Sequence, residues 1–182
     1  MVSIVNESSG SNCSYAGLKV SSGVDLNGNN LLDVSEIQTT KYVCNGAPAS
    51  TAFAYIYNLR EQTVERDSPV VFDSTGSISG ISHKGSDISI NSSGLYLITY
   101  SVSGTEPNQF AVFVNGRILE ASIYGSGAGT QQTYGQVIVE LRAEDIVTLV
   151  NVTGATAVGL ASKIGGDKAN VNASITFLKL NP

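Results

Sequence analysis

The sequence predicts an all-β fold, a sandwich or barrel of short strands, preceded by a small module built around one loop and one cysteine pair. Three observations point there. From Phe53 onward, short apolar runs alternate with Gly, Asn, Ser and Thr punctuation, and no segment shows a convincing helical period. Charged residues make up only 14% of the 182-residue chain, and glycine occurs 19 times. An oxygen-rich loop, Asp25 to Glu36, lies between Cys13 and Cys44, the only two cysteines.

The loop reads Asp-Leu-Asn-Gly-Asn-Asn-Leu-Leu-Asp-Val-Ser-Glu, with oxygen side chains at its first, third, fifth, ninth and twelfth positions. Calcium takes six to eight hard oxygen ligands, and this spacing lets one tight coil supply them. Asp25, Asn27 and Asn29 each offer one oxygen, Leu31 its backbone carbonyl, and Asp33 an oxygen directly or through water. Glu36 closes the set with both carboxylate oxygens. The sixth position needs positive φ and holds Asn30, the residue after glycine most tolerant of it. An Asx-rich surface turn is the plain alternative. The expected role is structural, because a sensor needs long helices on both sides of its loop. Here Ala16–Gly23 reads as a short strand and turn, Val34–Gln38 as one helical turn, and Thr40–Val43 as extended again.

Two cysteines bracketing such a loop in a core-poor segment suggest a disulfide, with two free thiols as the alternative. Zinc is disfavoured, since the single histidine, His83, lies far away in sequence and no second cysteine pair exists.

Three domains of sequence follow: residues 1–45 as the calcium and disulfide module, 46–51 as a linker, and 52–182 as one domain with its own core. In the last, the clear strands are Phe53–Tyr57, Val70–Phe72, Leu95–Val102, Phe110–Val114, Gly135–Leu141, Ile146–Val152 and Ala173–Leu180. Asn115-Gly116 between apolar residues signals a two-residue hairpin. Several strands are apolar on both faces: Tyr96, Ile98, Tyr100 and Val102 oppose Leu95 and Leu97, and Phe110, Val112 and Val114 oppose Ala111 and Phe113. A simple sandwich strand shows water one polar face, so these need a second cover, which we read as neighbouring subunits.

The net charge of −5 argues against a nucleic-acid partner. No apolar run reaches the ~20 residues of a membrane span. Met1–Val5 is too short for a signal peptide, so any signal is expected to have been removed or replaced.

Asn91-Ser92-Ser93-Gly94-Leu95-Tyr96-Leu97-Ile98-Thr99-Tyr100-Ser101-Val102 resembles the central strand of the complement-head and tumour-necrosis-factor (TNF-like) jelly rolls. Phe110 to Gly116 resembles the hairpin that follows it, Gly135 to Leu149 the paired strands joined by a Leu-x-x-Gly-Asp turn, and Asn172 to Leu180 the closing strand. Glu144 stands where that turn usually has glycine, so another turn shape is expected. With Ala54–Asn58, Pro69–Asp73 and Tyr124–Gly129, the match narrows to the carboxy-terminal heads of bacterial collagen-like surface proteins, the exosporium BclA type. Residues 11–46 resemble a small module, with its Asn-Cys start and Tyr-Val-Cys-Asn-Gly end, that often precedes collagen-like repeats. The resemblance implies a TNF-like jelly-roll β-sandwich forming a homotrimer, secreted or on the bacterial cell surface, at the end of a stalk. Gly46-Ala47-Pro48 supplies a single collagen-like triplet and Ser50-Thr51-Ala52 breaks the period.

No catalytic constellation stands out. His83 lacks a nucleophile signature and reads as a loop residue. The ten acidic residues from Glu61 to Asp145 show no spacing that selects a glycosidase pair. Gly125–Gly129 is not followed by Gly-Lys-Ser/Thr, and reads as a mobile loop rather than a phosphate cradle. The expected function is therefore a non-catalytic structural or adhesion head. A glycan- or receptor-binding jelly roll, including a phage-fibre tip, is the alternative, with Tyr55, Tyr124 or Tyr134 stacking on sugar.

Overall fold

Sixteen strands and two single 3-10 turns make up the regular structure of a computed structural model that describes residues 1–46, 52–129, 131–154 and 157–180. The chain divides into two compact units, Met1–Ala49 and Ser50–Pro182. Residues 47–51 of the expected linker, with most of the lone Gly-Ala-Pro triplet, lie outside the described residues.

The N-terminal unit is an antiparallel meander, β1 (Val2–Glu7), β2 (Gly17–Gly23) and β3 (Ile37–Cys44), in that spatial order. The expected extended, one-turn and extended pattern appears as β2, the 3-10 turn Val34–Glu36, and β3. Strand β1 was not expected, because Val2-Ser3-Ile4-Val5-Asn6-Glu7 has no clean alternation to announce it. The Cys13–Cys44 disulfide is formed, across a separation of 31 residues.

The second unit is a jelly roll. One sheet has the order β13-β9-β16-β4-β6, from β4 (Phe53–Asn58), β6 (Ser74–Ser79), β9 (Gly94–Val102), β13 (Thr133–Leu141) and β16 (Ala173–Lys179). The other runs β11-β10-β14-β8-β7, with β12 also paired to β10. Its strands are β7 (Ile81–Lys84), β8 (Asp87–Ile90), β10 (Asn108–Val114), β11 (Arg117–Ile118), β12 (Tyr124–Ser126) and β14 (Ile146–Asn151). A short pair, β5 (Gln62–Val64) with β15 (Val158–Leu160), completes the unit. The inward alternating positions of the two large sheets meet in one core: Ile56, Tyr96, Ile98, Tyr100, Ile175 and Phe177 face Ile88, Phe110, Val112, Val147 and Leu149.

Polar groups inside this core are paired. The Tyr100 hydroxyl lies 2.7 Å from the carbonyl oxygens of both Phe110 and Ser122, and a Cβ at Gly135 would collide with its ring. Burial pushes the Tyr100 hydroxyl well above its usual pKa, against a lowering backbone hydrogen bond at Tyr124. Asn58 donates to Asn172 Oδ1 (2.8 Å) and Asn172 donates to the Arg60 carbonyl (2.9 Å), tying β4 to the approach of β16.

Four expectations need correction. Val70–Phe72 is not a ladder strand: Val70 and Phe72 are buried, but their N–H groups make single bonds to the Leu149 and Gly85 carbonyls and the Val71 backbone pairs with the Gln62 side chain. Glu144 does not force a new turn shape; it takes left-handed φ (+74°) itself, as glycine would. His83 lies within β7, its Nε2 2.9 Å from the Gly85 carbonyl and its Nδ1 2.9 Å from Thr75 Oγ1. Gly125 and Ser126, the start of the Gly125–Gly129 stretch read as a mobile loop, belong to β12, which pairs with Asn108–Phe110. The hairpin at Asn115-Gly116 has φ of +51° and +75°, the type I′ requirement.

Candidate functional site

In the N-terminal unit, the acidic loop is held as a coil by its own backbone amides. Asp25 accepts from Gly28 N–H (Oδ1, 2.7 Å) and Asn30 N–H (Oδ2, 2.9 Å). Glu36 accepts from Leu26 and Asn27 N–H at Oε1 (2.9 and 3.3 Å) and from Asp33 N–H at Oε2 (3.0 Å). Asn27 and Asn29 each take the amide two residues on, at 3.0 and 2.7 Å, which are Asx turns. Their Nδ2 groups both donate to Asp33 Oδ2, at 2.9 and 3.0 Å. Asn30 has φ of +62° at the sixth position, as the calcium-loop reading requires.

All six expected ligand residues thus belong to one hydrogen-bonded coil. No lysine or arginine lies between Lys19 and Lys41, yet Glu36 is only 6% exposed. Among the described residues no three His, Cys, Asp or Glu side chains form a metal-holding group. Ligation would therefore need the Asn27 and Asn29 amides, turned oxygen-inward from their bonds to Asp33, and the Leu31 carbonyl. Asp25 Oδ1, Asp25 Oδ2 and Glu36 Oε2 each accept one N–H and keep a second lone pair for a hard cation. Glu36 Oε1 and Asp33 Oδ2 each accept two, so a cation there would displace one of those bonds.

The second candidate is the outward face of the β13-β9-β16-β4 sheet. Strand registry lines up Ile138, Leu97, Leu178 and Phe53 as one row across four strands. Ile138 (58%), Leu178 (45%) and Phe53 (39%) are exposed. The adjacent rows are Gln136, Thr99, Thr176 and Tyr55, then Tyr134, Ser101, Ser174 and Tyr57. Tyr55 and Tyr57 stack with ring centroids 5.2 Å apart. The doubly apolar pattern of β9 is explained here: Tyr96, Ile98, Tyr100 and Val102 fill the core while Leu95 and Leu97 look outward.

A third feature was not visible in the sequence. A cavity of about 480 Å³ beside the β5–β15 pair is lined by Glu61, Gln62, Thr63, Thr105, Gly159, Leu160 and Ala161. Several of its polar groups are engaged: Gly159 N–H and Thr105 Oγ1 donate to the neighbouring Glu106 Oε2 (both 2.8 Å), and Gln62 bonds both ways with the Val71 backbone. None of Tyr55, Tyr124 and Tyr134 lines it.

A family described as "Domain of unknown function (DUF7151)" matches residues 1–44. No curated protein matches the chain. Solved structures similar to it include the globular domain of zebrafish complement 1qA protein, with 11% identity and a TM-score of 0.55, covering 71% of this chain and 97% of that one. The Eiger TNF of S. frugiperda is similar with 12% identity and a TM-score of 0.54, over 71% of this chain and 92% of that one. Murine APRIL is similar with 13% identity and a TM-score of 0.51, over 72% of this chain and 100% of that one. At these identities the likeness is one of fold, a complement- and TNF-like jelly roll.

Proposed function

We propose that the chain is a non-catalytic extracellular head that assembles as a homotrimer and displays its loops to a receptor or surface partner, with a calcium-stabilised module in front. The observation that carries this reading is the apolar row Ile138, Leu97, Leu178 and Phe53. Leaving such a row in water forgoes about 1.5–3 kcal/mol for each large side chain that could be fully buried. A face crossing four strands with no charge in its central rows suits a flat self-association surface. The jelly-roll likeness, the formed disulfide and the absence of a helix long and apolar enough to cross a membrane, among the described residues, accord with secretion or display on a bacterial cell surface.

Sedimentation and native mass spectrometry of the purified chain test the assembly. Three chains per particle are expected, and Leu178→Glu should give folded monomers, since it places a charge in the centre of the row. A wild-type chain that stays monomeric at micromolar concentration overturns the reading.

The calcium part rests on Asp25, Asn27, Asn29, Leu31, Asp33 and Glu36, and on the burial of Glu36. Calcium should raise the melting temperature of the N-terminal unit, chelator should lower it, and Glu36→Gln should weaken the response. Identical melts with calcium and with chelator would remove the metal from the account.

A further inference from the structure

The three-stranded sheet of the N-terminal unit leaves its more apolar side exposed. One side carries the row Ser3, Ser21 and Thr40, with Ser21 4% exposed and 3.3 Å from Thr40 Oγ1, and beside it the row Val5, Lys19 and Tyr42. The opposite side carries Val2, Ile4, Leu18, Val20 and Val43. Here Val2 is 63% exposed, Ile4 60%, Val43 60% and Leu18 40%. The registry makes these neighbours: Ile4 sits opposite Val20, and Leu18 opposite Val43. Side chains alternate strictly along a strand, so any one-residue slip would exchange the two faces. The register gathers Val2, Ile4, Leu18, Val20 and Val43 on one side, with Asn6, Ser22, Thr39 and Lys41 among them.

We propose that this open face is a second self-association surface, packing against the same face of neighbouring copies within the assembly. The inference rests on the trimer reading above. The face is one side of a single three-stranded sheet with Lys41 among its apolar residues, and a stable independent interface needs ~800 Å² per partner, so it is not assigned to hold copies together alone. A tether changes that balance. Eight residues separate Cys44 from Phe53, a reach of at most about 30 Å. Phe53 opens β4 and lies in the apolar row assigned to trimer packing. Assembly through that row would gather three N-terminal sheets on short tethers, at effective concentrations near millimolar, where a small apolar face suffices. A like face is also the fitting occupant chemically. Lys41 is the only charged side chain on this side, and it stands on edge strand β3, where its stem can lie along a neighbour's apolar edge and its amine reach water.

The test uses the full chain, as wild type and as the double variant Ile4→Thr, Val43→Thr, which keeps β-branched side chains and strand propensity. Dissociation of the particle is followed by sedimentation across a dilution series. Trimers assembled from mixed light and ¹⁵N-labelled chains are treated with a short amine cross-linker and searched for links between Lys41 of different copies. The inference expects heavy–light Lys41 links in the wild type, and a dissociation midpoint at least about tenfold higher in concentration for the variant. A trimer with no such links and an unchanged midpoint overturns the inference while leaving the trimer standing. A wild type that never trimerises overturns both.

Discussion

In the jelly roll, Tyr96, Ile98, Phe110, Ile175 and Phe177 are fully buried between two sheets, whereas the buried residues described in the N-terminal unit are Cys13, Ser21 and Glu36. The jelly roll has two apolar faces to press together, so hydrophobic burial can offset its chain entropy. The N-terminal unit has one small sheet and long turns, and too little apolar surface to enclose. It relies on a covalent link, a hydrogen-bonded acidic coil and, on our reading, a cation and a neighbouring copy. The comparison shows how one chain uses two stabilising strategies according to how much each unit can bury.

The largest effect should come from emptying the jelly-roll core. Phe177→Ala removes a fully buried ring, and should cost about 3–5 kcal/mol in the head's own melting transition. If the transition of residues 1–46 moves equally, the units are not separately stabilised and the contrast breaks.

Replacing Cys13 and Cys44 by serine should cost the N-terminal unit about 3–4 kcal/mol on loop-closure grounds, leaving the head's transition in place. Calorimetry or hydrogen exchange resolved by segment would read this directly.

Tyr100→Phe sharpens the head's side of the comparison. Leaving the Phe110 and Ser122 carbonyls without their shared donor should cost about 1–3 kcal/mol. The hydroxyl holds its proton more tightly folded than unfolded, so its contribution is full below the unfolded value of about 10 and is lost as pH rises beyond it. An alkaline melting series should therefore fall more steeply for wild type than for the variant.

The smallest effect has the opposite sign. Glu144 holds φ of +74°, a region where glycine pays no Cβ penalty, so Glu144→Gly should stabilise the head by about 0.5–1 kcal/mol. A destabilised variant would mean that the side chain makes a compensating contact.

Long apolar strands were legible from their residues: Phe53, Leu95–Val102, Phe110–Val114, Gly135–Leu141 and Ala173–Leu180 all fall in strands or within a residue of one. The strands that escaped notice are polar or short, such as Ser74–Ser79, Ile81–Lys84 and Val158–Leu160. Their pairing comes from long-range partners, and local propensity carries little of it. Val70–Phe72 erred in the other direction, because apolar residues buried against a sheet edge read like a strand without joining a ladder. At the acidic loop, the spacing of oxygen side chains and the positive φ of Asn30 were readable, but the turn of the Asn27 and Asn29 amides toward Asp33 was not.

By itself, the sequence determined what depends on spacing and period: an all-β chain, one oxygen-rich coil between two cysteines, a type I′ hairpin at Asn115-Gly116, and strands with two apolar faces. The tertiary structure decided which of those faces is core and which is open. That choice depends on strand order and registry between residues as distant as Phe53 and Leu178, and no local pattern encodes it. It also decided that Val2, Ile4, Leu18 and Val43 of the N-terminal sheet stand together on an exposed side, because registry between strands, not local pattern, sets which residues are neighbours.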